Sequence, residues 1–278
     1  MGKIRHNEDD QHVSTKYRNF QEFLDNEQYS MKSILSYERI FGKGFISVGG
    51  FKSTEEITKR LNLKPGDKVL DVGCGIGGGD FYLAEKFGAS CYGVDLSENV
   101  IKIAQNKLKD VDVKNVEFDV ADITTINIPD ESYDVIYSRD TILHIKEKQD
   151  LFNKFFKWLK PGGKLLITDY CCTEDEWTSE FTNYVKNRGY FLLTLKEYEN
   201  HIQNSGFERV EAINNNKMFL ECLRKELNII EEMRTENLDE LWNEELYEYR
   251  KQGWNAKIKR AEDGMHIWGL IFAQKPQK

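Results

Sequence analysis

Proline is scarce in this sequence, four residues in 278, and there is no Gly/Ser tract. Both absences argue against a linker between two folding units. Cysteine is sparse as well. Cys74, Cys91, Cys171, Cys172 and Cys222 make an odd number, form no C-x-x-C pair and have no histidine cluster beside them. A disulfide scaffold and a zinc site are therefore not expected, no metal is called for, and a reducing, cytoplasmic setting is. No apolar run approaches the ~18 residues that span a bilayer, so no stable membrane insertion is expected. The opening MGKIRHNEDDQH has no apolar core for a secretion signal, and Gly2 lacks the Ser or Thr at position 6 of a myristoylation site, where His6 stands. Basic residues are outnumbered, 39 against 47 acidic ones, for a net charge of −8. A nucleic-acid partner, which needs a basic face, is disfavoured.

What is present is a chain that is 40% hydrophobic and 31% charged, enough for a core under a solvated surface. Residues 1–18 are polar and aperiodic and are expected to be disordered. Residues 19–62 predict short helices carrying Phe20, Phe23, Leu24, Ile34, Leu35, Ile40 and Phe41, with FISVGG (45–50) as a loop of small residues. Then strands and helices alternate. Strand-like runs are KVLDV (68–72), SCYGVDL (90–96), VEFDV (116–120), YDVIYSR (133–139) and GKLLITDY (163–170); helical runs are FYLAEKF (81–87), ENVIKIAQNKL (98–108) and KQDLFNKFFKWL (148–159). KPGG (160–163) reads as a helix-to-strand turn. ERVEAIN (208–214) and HIWGLIFAQ (266–274) add two strands, the last antiparallel to its neighbour, and a long charged helical stretch fills 217–250. This predicts an α/β fold, Rossmann-like, with a seven-stranded, mostly parallel sheet. One domain over 19–278 is expected: a helical lid at 19–62, a cofactor-binding core at 63–170, and acceptor-binding helices and last strands at 171–278.

The densest motif is DVGCGIGGG (71–79), five glycines behind one carboxylate between a strand and a helix. Glycines there let the backbone come close to a ligand. A lone G-x-G-x-x-G is weak, and two ligands remain open. A nicotinamide dinucleotide would set its pyrophosphate on the helix N-terminus. S-adenosylmethionine would instead bring an amino-acid end, which Asp71 can meet beside Gly73 and Gly75. Asp95, ending the second strand, suits the ribose hydroxyls of either. Asp122 and Ile123, in ADITTI, offer an acceptor for an adenine amino group and an apolar face with a backbone N–H for the ring.

The chemistry is expected after the fourth strand, in YSRDTILHI (137–145). Asp140 and His144 are four apart, one helical face, and make a candidate general-base pair. Nucleic-acid amino methylases carry a [DNS]-P-P-[YF] segment here, and this chain has SRDT. Tyrosines and basic residues gather elsewhere: Tyr29, Tyr170, Tyr184, Arg188, Tyr190, Lys257 and Lys259. Fixed donors and permanent positive charge suit a small anionic acceptor.

D-x-G-x-G-x-G, the acidic end of strand two, D-I after strand three and WLKPGGKLLITD resemble the class I S-adenosylmethionine-dependent methyltransferases over about residues 60–170. NEQYS, FISVGG, SRDTILH, ITDYC, YVKNRGYFLLT and GWNAKIKR…WGL narrow this to a resemblance to the phosphoethanolamine N-methyltransferases of malaria parasites, plants and nematodes, over about residues 20–275. The resemblance implies that Tyr29, Asp140 and His144 act at the amine and that Tyr170, Tyr184, Arg188, Tyr190 and Lys257 hold the phosphate. Lys259 replaces Lys257 if the local register is shifted. Ile46, Ser47, Gly73, Asp95, Asp122, Ile123 and Arg139 match cofactor contacts. It further implies methylation of phosphoethanolamine to phosphocholine with S-adenosylhomocysteine as by-product, feeding phosphatidylcholine synthesis, by a monomer. Another small-molecule N-methyltransferase, a non-catalytic adenosine-ligand protein and a nicotinamide dehydrogenase are the alternatives.

Overall fold

The computed structural model describes residues 17, 19–236, 239 and 241–277. Apart from Tyr17, the stretch expected to be disordered, 1–18, lies outside the described residues. Seven strands form one sheet: β1 (Lys68–Val72), β2 (Ser90–Asp95), β3 (Val116–Val120), β4 (Tyr133–Arg139), β5 (Leu159–Cys172), β6 (Glu208–Asn214) and β7 (His266–Gln274). Their order is β3-β2-β1-β4-β5-β7-β6. β7 runs antiparallel to both neighbours, and the pairs from β3 through β5 are parallel. This is the expected Rossmann-like class I methyltransferase fold. β1 and β4 are buried along nearly their whole length, which is why they read as apolar runs rather than alternations.

Helices cover both faces because their apolar residues recur at helical spacing. On one face, α4 (Gly78–Phe87) and α5 (Glu98–Lys109) bury Leu83, Ala84, Val100, Ile101 and Ala104. Ser97 caps α5 by accepting the Val100 N–H. On the other, α6 (Lys148–Trp158) buries Leu151, Phe152, Phe155 and Trp158, and α8 (Leu195–Asn204) starts in a Thr194–Glu197 capping box and buries Tyr198 and Ile202. A third cluster sits above the C-terminal edge of the sheet. It joins α2 (Met31–Phe41), α7 (Ser179–Arg188), α9 (Asn216–Glu236) and α10 (Glu244–Glu262). Two further N-terminal helices, α1 (Phe20–Phe23), which widens into a π turn at Leu24–Gln28, and α3 (Gly50–Thr58), complete that cover.

Three local expectations change. KPGG is not a free turn: β5 already begins at Leu159, and the pairing with β4 shifts register between Tyr133 and Val135, a bulge that absorbs the extra residues. The 217–250 stretch is two helices, α9 and α10, with Asn243 capping the second through the Leu246 N–H. YSRDTILHI is not helical. β5 extends far enough for Thr168 O to take the Asp140 N–H at 2.7 Å, so the chain stays sheet-bound through Asp140 and then makes one 3-10 turn, Ile142–His144.

Phe152 has no exposed surface and meets Phe155 and Tyr198 ring to ring. Truncating it leaves a cavity between the sheet and α6. Phe152→Ala is expected to cost about 3–5 kcal/mol in denaturant unfolding; a loss under about 1 kcal/mol would show that this layer repacks freely.

Candidate active site

The C-terminal ends of β1, β2, β4 and β5 open into one cavity of about 390 Å³ beneath α2, α10 and the 45–50 loop. Parallel strands aim their carboxyl ends, and the loops after them, at one place. Asp71, Gly73, Gly75 and Asp95 line its floor. Gly73 shows why this loop is glycine. Its φ is +77°, and a Cβ there would lie 2.0 Å from Thr141 Oγ1, so any side chain would push the catalytic-side loop away. Asp95 accepts the Ser97 N–H at 2.9 Å and the Gly75 N–H at 3.1 Å. Burial nevertheless pushes its carboxyl up to about 6. Burial also raises Asp71 and its neighbour Asp80, two carboxyl groups that meet each other, with Asp71 alone of the pair on the cavity wall. A glycine floor and two strand-end carboxylates, Asp71 and Asp95, fit a ligand with ribose hydroxyls and a cationic amino-acid end.

The roof is tied down from two sides. Arg139, 7% exposed at the end of β4, donates to Val48 O (2.5 Å), Gly50 O (3.3 Å), Thr54 Oγ1 (2.6 Å) and Ser53 Oγ (2.8 Å). Expected as a ligand contact, it lines the cavity while its hydrogen bonds hold the roof. Ile46 and Ser47 of that roof face the cavity, as expected. Asp25 caps α5 through Ser97 Oγ and the Glu98 and Asn99 N–H groups, and Asn99 Nδ2 donates to Tyr29 O at 3.0 Å. Tyr29 thus stands beside the Asp95 loop, on the cavity wall. Burial raises its hydroxyl far above an ordinary phenol's range, so it stays protonated.

Asp140 and His144 both line the cavity, but they are not the hydrogen-bonded pair that helical spacing suggested. Asp140 has φ +52°, a left-handed backbone that an aspartate tolerates better than most residues. Its Oδ1 accepts from Trp268 Nε1 at 2.7 Å and Thr168 Oγ1 at 3.2 Å, and its Oδ2 has no partner. His144 packs against Tyr190, its Nδ1 also without a partner. Burial, then the Lys148 and Arg188 charges, push its pKa down to about 4. It is a neutral imidazole at pH 7.

Tyr170, Tyr184, Arg188, Tyr190 and Lys257 line the far end. Lys257 Nζ donates to Tyr170 OH at 3.2 Å. Burial lowers its pKa, with Glu226 acting the other way. Of the two candidate lysines Lys257 lines the cavity, whereas Lys259 is an exposed partner of Asp263 at 2.8 Å and does not. Arg188 has no acidic partner among the described residues, and the groups raising its pKa are tyrosines, led by Tyr190. Asp122 and Ile123 are the two expected residues that the cavity wall does not include. Asp122 is exposed, and its Oδ1 accepts the Thr124 N–H and Oγ1, a local turn; Ile123 is buried in the core.

Several wall residues were not anticipated: Tyr37, Arg250, Trp254 and Arg260. Arg250, Trp254 and Lys257 follow at spacings of four and three, one face of α10, and that periodicity was the available signal. The Trp268 contact to Asp140 spans 128 residues, and no local pattern announces it.

The methyltransferase domain family profile matches residues 63–253. Phosphoethanolamine N-methyltransferase 1 of Zea mays is 51% identical over 257 residues, covering 92% of this chain and 51% of that protein. The Plasmodium falciparum phosphoethanolamine N-methyltransferase is 39% identical over 256 residues, covering 91% of this chain and 95% of that protein. The structure of Haemonchus contortus phosphoethanolamine N-methyltransferase 2 with phosphomonomethylethanolamine and S-adenosylhomocysteine superposes with a TM-score of 0.91 at 36% identity, over 94% of this chain and 61% of that one. The chain thus spans about half the length of the plant relatives it matches.

His144 gives a direct test of these electrostatics. Its folded pKa of about 4 lies below the ~6.5 of a free imidazole. The unfolded chain therefore binds more protons between the two values. The ring contributes stability that is full above about 6.5 and is lost as pH falls through about 4. The His144 ring resonance, assigned with His144→Gln, is expected to stay flat down to about pH 5; a midpoint near 6.5 would show that the ring is not desolvated.

Proposed function

The chain belongs to the phosphoethanolamine N-methyltransferase family, and from that premise we propose that it transfers a methyl group from S-adenosylmethionine to the nitrogen of phosphoethanolamine. Repetition through the mono- and dimethyl forms yields phosphocholine. The observation that carries this reading is one cavity with two unlike ends. A glycine floor with Asp95 faces an unpaired Arg188 with Lys257 and three tyrosines, and Asp140 and His144 stand between. Asp71, Gly73, Gly75, Asp95, Ile46 and Ser47 would hold the adenosyl ligand, with Asp122 and Ile123 proposed at the adenine edge. We also propose a cytoplasmic monomer. The absence, among the described residues, of a helix long and apolar enough to cross a membrane is consistent with this, as are five free cysteines.

When bound, S-adenosylmethionine supplies an electrophilic methyl and a neutral thioether leaving group. The protein's part is to bring a free amine to it. An ammonium with a pKa of about 10 is no nucleophile until it loses a proton. Asp140 Oδ2, the unpaired oxygen, is the charge partner that draws the ammonium in. His144, neutral and on the same cavity wall, takes the proton directly or through a water. Burial first, then the Lys148 and Arg188 charges, set its pKa of about 4, and Arg188 has no acidic partner among the described residues. A phosphate on Arg188 offsets that charge and raises the basicity of the ring when the acceptor is present. Tyr29, protonated throughout, donates a hydrogen bond and closes the amine end. Tyr170, Tyr184, Arg188, Tyr190 and Lys257 fix the phosphate, so the amine is presented in one direction. The 19–62 segment acts as the lid that keeps water out.

The deciding assay offers labelled S-adenosylmethionine with ethanolamine, phosphoethanolamine and its mono- and dimethyl forms. Transfer only to phosphorylated amines supports the reading, and transfer to none of them ends it. Two variants separate the ends of the cavity. Asp95→Ala is expected to weaken S-adenosylmethionine binding at least tenfold, about 1.4 kcal/mol by calorimetry; unchanged affinity in a folded variant refutes the ribose contact. Arg188→Ala and Lys257→Ala are each expected to cost about 2–5 kcal/mol of acceptor binding, read as a raised KM with cofactor affinity intact. If both leave KM unaltered, the phosphate is held elsewhere.

A further inference from the structure

Glu226 is outside the cavity wall, yet it touches what covers one end and what forms the other. It lies on α9 and is 4% exposed. Its Oε1 accepts the Gly49 N–H at 2.7 Å, and its Oε2 accepts Trp254 Nε1 at 2.9 Å. Gly49 belongs to the loop that carries Ile46 and Ser47 over the cofactor end. It has φ +74°, and a Cβ there would sit 2.7 Å from Cys222 Sγ, one turn before Glu226 on α9. The helix is pressed onto the loop so closely that a glycine alone can present its N–H. Trp254 is part of the acceptor wall, and the Lys257 ammonium stands 5.2 Å from its ring centroid.

A buried carboxylate requires a counter-charge. The cations acting on Glu226 are Lys257 and Arg139. Arg139 is held in place by four neutral oxygens of the 48–54 segment and keeps its charge. Lys257, on the acceptor wall and bonded to the Tyr170 hydroxyl, is the counter-charge that is also the proposed phosphate ligand. A phosphate that draws Lys257 toward itself leaves the carboxylate less neutralised. A less neutralised carboxylate is a stronger acceptor for the Gly49 N–H. The loop over the cofactor end is then held more firmly.

We propose that Glu226 is a positioning residue that links the phosphate end of the cavity to the loop over the cofactor end, so that each ligand tightens the binding of the other. The link rests on the reading of the cavity given above. It adds that binding is cooperative and that the coupling passes through a residue touching neither ligand. Coupling of this kind is reciprocal: the factor by which one ligand strengthens the second is the factor by which the second strengthens the first.

The test is calorimetric titration of phosphoethanolamine into the whole protein, with and without saturating S-adenosylhomocysteine. In the wild type the second ligand is expected to tighten the first by roughly five- to 150-fold. Glu226→Gln removes the charge but keeps the shape, and is expected to bring that factor to within about twofold of one. Trp254→Phe removes one donor and keeps the carboxylate, and is expected to reduce the factor by at least about threefold. Wild-type protein without coupling, or a cooperatively melting Glu226→Gln that retains it, overturns the proposal. Where Glu226→Gln does not fold, an unchanged factor in Trp254→Phe overturns it. Failure of the functional reading looks different: no methyl transfer to phosphoethanolamine at all. The same titration with inorganic phosphate then tests the link independently of the acceptor's identity, a wild-type coupling lost in the variants supporting it and its absence overturning it.

Discussion

The upper half of the molecule depends on one buried cation. Arg139 closes β4 and directs its guanidinium away from the sheet into the 48–54 segment, where four oxygens receive it. A buried charge is tolerated only when most of its donors are bonded, and here both terminal nitrogens are, with Nε alone left without a partner. The consequence is directional. The carbonyls of Val48 and Gly50 are fixed relative to β4, and so the roof of the cavity is fixed relative to its floor. Any two groups that must face each other across the cavity inherit that registration.

Around this anchor the charges are sorted by depth. The chain carries a net charge of −8, yet the far end of its cavity presents Arg188, Lys257, Arg250 and Arg260. Tyr170, Tyr184 and Tyr190 among them remain protonated, because burial raises these three phenols. They add hydrogen-bond donors without adding negative charge. Arg260 is stacked 3.7 Å from the Tyr184 ring centroid and paired with Glu180 at 2.8 Å, so it braces a tyrosine rather than standing free. Arg188 has no acidic partner among the described residues.

The sequence made the sheet legible because its strands are short runs with sharp ends, apolar where both faces are covered, as in β4 and β7, and alternating where one face is exposed, as in β3 and β6. VEFDV, YDVIYSR, ERVEAIN and HIWGLIFAQ match β3, β4, β6 and β7 residue for residue. The floor of the cavity was legible for a related reason: a glycine cluster has few uses between a strand and a helix. What stayed hidden was long-range or chirally local. Asp140 and His144 are four apart, and on spacing alone they belong to one helical face; the hydrogen bond from the Asp140 N–H to Thr168 O keeps that stretch on the sheet. Glu226 and Trp268 act across 177 and 128 residues. No periodicity reports a contact of that kind, which only the closed fold creates.

The position of β7 has a bearing on how the molecule comes into being. It lies between β5 and β6, antiparallel to both, although it follows them in the chain. Until it inserts, β5 and β6 each present an open strand edge, and the sheet is split into a five-stranded slab and an orphan strand. The same insertion delivers Trp268 to Asp140. The floor of the cavity can therefore form early, while the side chain that orients Asp140 arrives only with the closing strand. A nascent chain on the ribosome would acquire its glycine floor well before a working centre, and the waiting edges make that interval the one in which a chaperone matters most.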